Sequence, residues 1–301
     1  MKKHLTSIIS RSRLMQLALG ISCLLLSLPQ ANAQLSIRMT MSKTSYLLNE
    51  PVTATLHITN HAGRQIILRS DGVTPWLNFH LSNKGRTIPS ARRMNYRSVV
   101  IPTGQTVART VNLSTTFSLG NVGNYTCTAN IKMPGQARNG FISNRCQFTV
   151  ATGRASWTQR AGVPGSATDT RIYKLVNFTG NRSMELYAQV DSGRSGANIA
   201  TIPLGKVISF RQPVATLDRS NNMHTVYQVK PDLFTYVKIS PSGRVLNTAH
   251  YKRGAVGNPR LVPVGGEIKV AGGILYNAQA AAARRKSIRN ISERPAFIYR
   301  K

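Results

Sequence analysis

The segment FSLGNVGNYTCTANIKMPGQARNGFISNRCQFTV, residues 117–150, predicts a β-hairpin. In its first half Tyr125, Cys127, Ala129 and Ile131 alternate with polar residues, which is the period-two pattern of a strand with one buried face. The run FISNRCQFTV alternates in the same way, except that the polar Asn144 stands at one of its apolar positions. The proline and the glycines between the two runs supply turn chemistry. The segment therefore predicts two adjacent antiparallel strands.

Folding the chain about the middle of this turn places Cys127 opposite Cys146. The Cβ atoms of directly opposed residues are about 4.5–5.5 Å apart, a distance that a small local adjustment bridges. A disulfide closing a loop of roughly 15 residues stabilises the fold by about 3 kcal/mol in the chain-entropy model. The spacing predicts a disulfide between these cysteines, and two free buried thiols are the alternative.

The first 33 residues have the pattern of a secretory signal peptide. Basic residues lie near the start, the apolar run LALGISCLLLSL follows, and Ala31-Asn-Ala33 is a small-x-small cleavage site. The apolar run is shorter than the roughly 18 residues of a membrane span. These features predict Sec-type export, cleavage before Gln34 and a periplasmic, outer-surface-associated or extracellular location. Cleavage removes Cys23, and an oxidising compartment favours pairing of the two cysteines that remain.

The chain is strongly basic. Of its 40 lysines and arginines four lie in the leader, so 36 remain against 9 acidic residues, a net charge of +27. Such a charge attracts anions. It predicts a partner such as an anionic envelope polymer (lipopolysaccharide, an acidic wall polymer or an acidic polysaccharide) or nucleic acid. A generally basic exported proteome is the alternative explanation.

Residues 34–151 read as an all-β domain. Apolar residues alternate with threonine and histidine in VTATLHIT, residues 52–59, and shorter runs of the same kind lie between turn signals on both sides. Seven to nine strands fit into this length, which is the size of one immunoglobulin-like β-sandwich.

Four pieces of this domain, LLNEPVTATLHITN, PWLNFHL, IPTGQTV and FSLGNVGNYTC, resemble in their order a group of bacterial immunoglobulin-like domains, the intracellular-proteinase-inhibitor and macroglobulin types. The resemblance covers about 40% of the chain. It implies a β-sandwich and makes Tyr125, two residues before Cys127, a tyrosine corner. The strand at Val52–Ile58 has no cysteine, which departs from the immunoglobulin pattern. Protease inhibition does not transfer, because no residue matches an inhibitory loop.

The rest of the chain divides into three parts. Residues 152–169 are rich in glycine, serine, threonine and proline and read as a linker, with Trp157 available to dock on a domain. Residues 170–275 contain nine strand-like runs, including Lys206–Phe210, and predict a second small β domain, either a sandwich or barrel or a propeller-blade-like unit. Residues 276–301 predict a basic tail, helical after Asn277 as N-cap or disordered.

The sequence predicts no catalytic, cofactor or metal site, and hence no enzyme. The nine carboxylates form no clustered motif, and His57 and His61 are about 13 Å apart along a strand, too far for one metal. His80, His224 and His250 read as isolated surface residues. Phosphate-loop, dinucleotide and nucleophile-elbow motifs are absent from the sequence.

Two basic clusters are the candidate anion-binding residues: Arg92, Arg93 and Arg97, interleaved with Tyr96, and Arg284, Arg285 and Lys286 of the tail. The preferred hypothesis is an exported, non-enzymatic envelope or surface protein that binds a protein or glycan through its immunoglobulin-like domain. An electrostatic polyanion binder and a protease-inhibitor-like module are the alternatives.

Overall fold

The computed structural model describes residues 35–72, 74–133, 140–166, 168–180, 183–208, 210–277 and 279–280, and they form small, mostly antiparallel β-sheets. The predicted all-β class is confirmed. The first eleven strands are β1 (Leu35–Met41), β2 (Ser45–Leu47), β3 (Thr53–Asn60), β4 (Ile66–Leu68), β5 (Leu77–Asn83), β6 (Arg86–Ile88), β7 (Val99–Ile101), β8 (Thr106–Asn112), β9 (Gly123–Ile131), β10 (Phe141–Ile142) and β11 (Cys146–Ala151).

Two sheets of this first region share one apolar core. One has the order β1-β3-β8 and the other β2-β11-β9-β5-β6, with β10 on β9; β2 pairs with β11 in parallel. Alternate residues point inward: Leu56 and Ile58 of β3 belong to the same buried cluster as Phe79 of β5 and Ile131 of β9. Each such side chain contributes about 1.5–3 kcal/mol on burial, which fixes the register of both sheets.

The central hairpin has the predicted register. Cys127 pairs with Cys146 and Tyr125 with Phe148 across β9 and β11. Residues 134–139, where the sequence places the turn, lie outside the described residues. Folding the alternating segment about its turn therefore correctly predicted which residues face each other across the hairpin.

The disulfide predicted between Cys127 and Cys146 is not formed in this structure, where both are free thiols. The Cys146 thiol instead donates to the Met39 carbonyl oxygen at 3.2 Å and accepts from the Asn144 amide at 3.5 Å. Burial raises the pKa of Cys127 to about 12, so its thiol stays protonated. The register of the hairpin places Cys127 and Cys146 opposite each other, but the hydrogen bond to Met39 holds the Cys146 thiol against β1.

Tyr125 is anchored at the start of β9. Its ring is 1% exposed and stacks on Phe148 with centroids 5.2 Å apart. Its hydroxyl donates to the Asn121 carbonyl oxygen at 2.5 Å. This bond ties the strand to the loop that enters it.

We expect Y125F to lower the free energy of unfolding by about 1 kcal/mol, since it removes one hydrogen bond and leaves an acceptor that water can reach. Urea unfolding measures the change. Y251F is the matched control, because the Tyr251 hydroxyl makes no hydrogen bond with a described residue. Equal losses for both variants would contradict the anchoring role.

The remaining strands form the second region. They are β12 (Arg154–Gly162), β13 (Thr170–Gly180), β14 (Ser183–Ser192), β15 (Asn198–Lys206), β16 (Val214–Leu217), β17 (Met223–Lys230), β18 (Leu233–Ile239), β19 (Val245–Arg253), β20 (Arg260–Val264), β21 (Glu267–Ala271) and β22 (Gly273–Leu275). Two sheets, β12-β13-β14-β15 and β16-β17-β18-β19-β22, share a core, and β20 and β21 form a separate hairpin.

Two sequence interpretations of this region are corrected. The segment read as a linker forms β12, an edge strand along β13, and Trp157 packs on the core. An edge strand with one solvated face needs few apolar residues, so the composition of this segment did not identify it as a strand. Lys206–Phe210 is not a strand of its own, because Lys206 ends β15.

The interpretation of His224 as an isolated surface residue is wrong, because it is 1% exposed. Its Nδ1 lies 2.8 Å from the Tyr236 hydroxyl and its Nε2 lies 3.0 Å from Asp218 Oδ2. Burial lowers the pKa of His224, and the nearby Asp218 only partly opposes this. Burial alone would raise the pKa of Asp218, but hydrogen bonds from Asn222, His224 and Lys238 outweigh it and the pKa lies below its usual value.

We expect the free energy of unfolding to fall as pH drops below about 6.5, the pKa of His224 in the unfolded chain. The folded pKa is lower, so the unfolded state takes up the proton first, and the stability present above that pH is lost. One proton limits the slope to about 1.4 kcal/mol per pH unit. Denaturant unfolding across this range should show a shallower loss for H224Q. The exposed control H80Q should follow the wild type, and a profile of H224Q as steep as the wild type's would refute the assignment.

The two regions meet at a polar network. Lys43 Nζ lies 2.7 Å from Glu50 Oε1, 2.7 Å from Glu185 Oε2 and 2.8 Å from the Tyr187 hydroxyl. Glu50, 5% exposed, also accepts from the Leu47 amide at 2.9 Å and from the Tyr187 hydroxyl at 3.0 Å. Burial alone would lower the pKa of Lys43, but the two carboxylates raise it, so the lysine is charged.

An apolar cluster beside this network joins β2 of the first region to β13 and β14 of the second: Leu47, Val176, Phe178 and Tyr187. Gly153 lies in the two-residue connection between β11 and β12. A Cβ atom there would overlap Val176 and the Asn177 carbonyl oxygen. The connection is therefore both short and closely packed.

Near the C-terminus, the Asn277 side-chain oxygen accepts from the Gln279 and Ala280 amides at 2.9 and 3.1 Å, as an N-cap does. The rest of the predicted tail and the predicted leader lie outside the described residues. Within the described part of the chain, none of the helices has the length and hydropathy to cross a membrane.

Candidate functional site

An open cleft of about 540 Å³ lies along the edge strand β8 of the first region. Its other wall is the segment of residues 92–97, which leads from β6 to β7. The three arginines that the sequence predicts as anion-binding, Arg92, Arg93 and Arg97, all line it. The structure therefore brings the first candidate cluster to one concave surface.

Aromatic packing positions the arginine-bearing segment. Met94 is 9% exposed and belongs to the core. The half-buried Tyr96 ring meets Trp76 edge-on at 6.4 Å and Phe79 at 6.3 Å between centroids. The Trp76 indole donates to the Tyr96 carbonyl oxygen at 3.1 Å. The segment is anchored by the side chains of Met94 and Tyr96, and its arginines are exposed to solvent.

A fourth arginine, Arg109, comes from β8 and was not predicted from the sequence. It pairs with Leu56 in the sheet, and its inward-facing neighbours along the strand are Val107 and Val111. Because β8 is the edge of its sheet, no further strand covers this position and the side chain is exposed. The sequence feature that could have identified Arg109 is its place in the pattern V-x-R-x-V, where an arginine takes a position that the alternation assigns to an apolar residue.

The cleft carries uncompensated positive charge. Arg93 is engaged with the Gly72 carbonyl oxygen and thereby holds the neighbouring loop. Arg92, Arg97 and Arg109 form no ion pair with any carboxylate in the described part of the chain. Guanidinium groups stay charged at any physiological pH and bind carboxylate, sulfate or phosphate through paired N–H donors.

Neutral groups complete the lining of the cleft. Burial raises the pKa of Tyr96, so its phenol stays neutral and does not repel an anion. Asn112 and Thr115 also line the cleft and carry polar groups. The arrangement suits an extended anion that contacts several guanidinium groups and has an apolar or ring face against Tyr96.

The other predicted site residues lie elsewhere. Tyr125 and Cys127 are in the core, and Cys146 packs against it. Arg284, Arg285 and Lys286 lie outside the described residues. Among the residues that the structure describes, no group of three or more histidine, cysteine or acidic side chains is arranged to hold a metal ion.

No protein-family model matches this chain, and no curated protein sequence matches it. Among solved structures, it is similar to the sporulation control protein Spo0M from Bacillus subtilis, with 12% identity over 55% of this chain and 82% of that chain. The TM-score of this superposition is 0.25.

Proposed function

We propose that this protein is an exported, non-enzymatic binding protein of the cell envelope or surface, and that its first region captures an anionic polymer. The observation that carries the proposal is the convergence of four arginines on one open cleft, three of them without a carboxylate partner among the described residues. Export rests on the leader pattern of the sequence.

The strand order supports an immunoglobulin-like identity for the first region. The order β1-β3-β8 corresponds to strands A-B-E of that fold, and β11-β9-β5-β6 corresponds to G-F-C-C′. Two side chains agree with this. Trp76 is buried directly before the C-equivalent strand, and the Tyr125 hydroxyl bonds upstream at the start of the F-equivalent strand.

A polymer fits the cleft better than a small anion. The exposed arginines come from two separate chain segments and border an open surface, so each can contact a different charge of an extended ligand. Several exposed contacts of modest strength add to useful affinity only when one ligand makes them together. An acidic polysaccharide of the envelope has this repeating charge.

Binding of the full chain to a sulfated polysaccharide, with neutral dextran as the control, tests the proposal. We expect binding to the charged polymer alone, with an affinity that falls steeply as salt rises, because counterions compete for the arginines. Equal binding to dextran, or an affinity indifferent to salt, would overturn the electrostatic mechanism. A single-stranded oligonucleotide in the same assay distinguishes a general polyanion binder from a polysaccharide binder.

A further inference from the structure

One end of the five-stranded sheet of the second region carries strongly exposed apolar side chains. Neighbouring strands of this sheet are antiparallel, so β16 begins and β19 ends at the same end. Phe210, in the connection that enters β16, is 82% exposed, and Val256, in the connection that leaves β19, is 89% exposed. Val214, the first residue of β16, is 57% exposed. Apolar groups exposed together in this way mark an interaction surface.

Two of these side chains lie at one cavity. The cavity has a volume of about 550 Å³, is bordered by the sheet and by the β20–β21 hairpin, and is lined by both Val214 and Val256. The loop that carries Val256 is closed by two hydrogen bonds, in which the amides of Gly254 and Gly257 each donate to the other residue's carbonyl oxygen at 2.9 and 3.1 Å. The loop therefore presents Val256 in a fixed position.

Arg211 and Arg260 place two positive charges at the same cavity, and both side chains are exposed. The Arg211 guanidinium lies over the Phe234 ring, 5.4 Å from the centroid. With the Asn258 amide oriented so that its oxygen faces Arg211, that oxygen accepts from both terminal nitrogens at 2.7 and 3.1 Å. Neither arginine pairs with a described carboxylate, and the described residues of the lining include no aspartate or glutamate. The charge at the cavity is therefore uncompensated.

Further basic residues lie at this end of the sheet. Lys230 ends β17 and Arg253 ends β19, and both are exposed. The carboxylate of Asp232, in the turn between β17 and β18, lies 3.3 Å from Lys252 Nζ and is thereby neutralised. The surface around the exposed apolar groups consequently attracts anions.

We propose that this end of the second region docks on a membrane surface that contains anionic phospholipids. Phe210 and Val256 enter the boundary between headgroups and acyl chains, where partly buried apolar side chains are stabilised. Arg211 and Arg260 contact the lipid phosphates, because a guanidinium binds a phosphate through paired N–H donors while its apolar stem rests on neighbouring apolar groups.

A bilayer surface matches both features of this end of the sheet, whereas other occupants match one. A small soluble anion reaches the arginines but leaves Phe210, which does not line the cavity, exposed to water. A second copy of this chain that met the surface face to face would bring the same arginines together. Anionic phospholipids present phosphates directly above an apolar layer, so they engage the guanidinium groups and the apolar side chains at once.

Tryptophan quenching in the full chain locates the contact. The vesicles contain phosphatidylcholine and phosphatidylglycerol with brominated acyl chains, since bromine quenches tryptophan at short range. We expect quenching of F210W to exceed that of the wild type, because residue 210 enters the acyl boundary. I142W is the matched control, at a position of the first region that is 67% exposed, and it should behave like the wild type.

Vesicle sedimentation measures the contribution of each group. F210S/V256S should lower the partition coefficient at least about ten-fold at unchanged charge, whereas V122S/I142S, which changes exposed apolar residues of the first region, should not lower it. R211A/R260A should lower it about 30-fold on anionic vesicles. R194A/R244A, which removes two exposed arginines of the second region outside the cavity, should lower it only a few-fold.

The proposal does not depend on polymer binding by the first region, because the cavity and the arginine cleft share no residue. R92A/R97A/R109A combined with F210W should therefore keep the quenching of F210W. Loss of that quenching would show that the cleft, and not the second region, holds the chain on the membrane.

Quenching of F210W no greater than that of I142W, on vesicles that sediment the chain, would show adsorption by net charge and overturn the proposal. Absence of binding to vesicles would overturn it in favour of a protein partner. Dispersed dihexanoyl phosphatidylglycerol binding as tightly as vesicles would overturn it in favour of a small-ligand site. Thermal unfolding establishes that each variant is folded. Should R211A/R260A fail to fold, R260A alone is expected to lower partitioning roughly five-fold, and an unchanged coefficient would refute the phosphate contact.

Discussion

Replacing Arg92, Arg97 and Arg109 together by alanine is expected to lower the affinity for a sulfated polysaccharide about 100-fold at low salt. Each exposed charge contact contributes about 1 kcal/mol, and 3 kcal/mol corresponds to roughly this factor. The side chains are exposed and form no ion pair with the described carboxylates, so their removal should leave the fold intact. Fluorescence anisotropy with a labelled polymer measures the loss.

The control removes the same amount of charge elsewhere. Arg64, Arg145 and Arg154 are exposed and do not line the cleft. R64A/R145A/R154A should therefore retain most of the affinity. With a single-stranded oligonucleotide as ligand, the log–log salt slope of the cleft variant should be shallower by about 2, given roughly 0.7 per lost contact. Similar losses in both triple variants would show that net charge alone, and not the cleft, binds the polymer.

Glu50→Ala is expected to lower the free energy of unfolding by about 3 kcal/mol, a large effect for one side chain. The substitution leaves the buried Leu47 amide without its acceptor and deprives Lys43 of one of its two carboxylates. Breaking a buried pair costs about 3–5 kcal/mol, and the partial exposure of Lys43, 26%, places this case at the lower end. Urea unfolding measures the change.

E267A provides the comparison, because Glu267 is exposed and forms no ion pair in the described part of the chain. Its effect should stay within about 0.5 kcal/mol. Hydrogen exchange adds a local readout: E50A should increase exchange in β2 and β14, where the two regions meet. An E50A variant as stable as E267A would show that the network does not join the regions energetically.

Strands with one buried face were predictable from local pattern. In β3 and β9 every second residue is buried, so a period of two in the sequence identified both strands and their inward faces. The edge strand β12 was missed because only two of its nine positions are even partly buried. Of the short β20–β21 hairpin, the sequence predicted the strand Glu267–Ala271, whereas its partner β20 was missed because Pro263 interrupts the strand pattern.

The candidate site was predictable only where it is local. Arg92, Arg93, Tyr96 and Arg97 lie within six residues, and their interleaving was visible. Arg109 joins them because β8 is an edge strand, and strand order depends on contacts far apart in sequence. The burial of His224 was not predicted for the same reason, since its partner Tyr236 lies across a hairpin whose register the sequence alone did not fix. The disulfide was predicted because the two cysteines face each other across the hairpin and an oxidising compartment favours pairing. The orientation of the Cys146 thiol, however, depends on its hydrogen bond to Met39 of β1, which is far away in sequence.

The closely packed connection at Gly153 has a mechanical consequence. Only Thr152 and Gly153 separate β11 from β12, and both strands are held by ladders of hydrogen bonds along their length. When the first region is pulled away from the second, the tension passes straight into these ladders. Hydrogen bonds that are loaded side by side break together and not one after another, so two regions joined in this way should separate at a higher force than two regions joined by a slack tether.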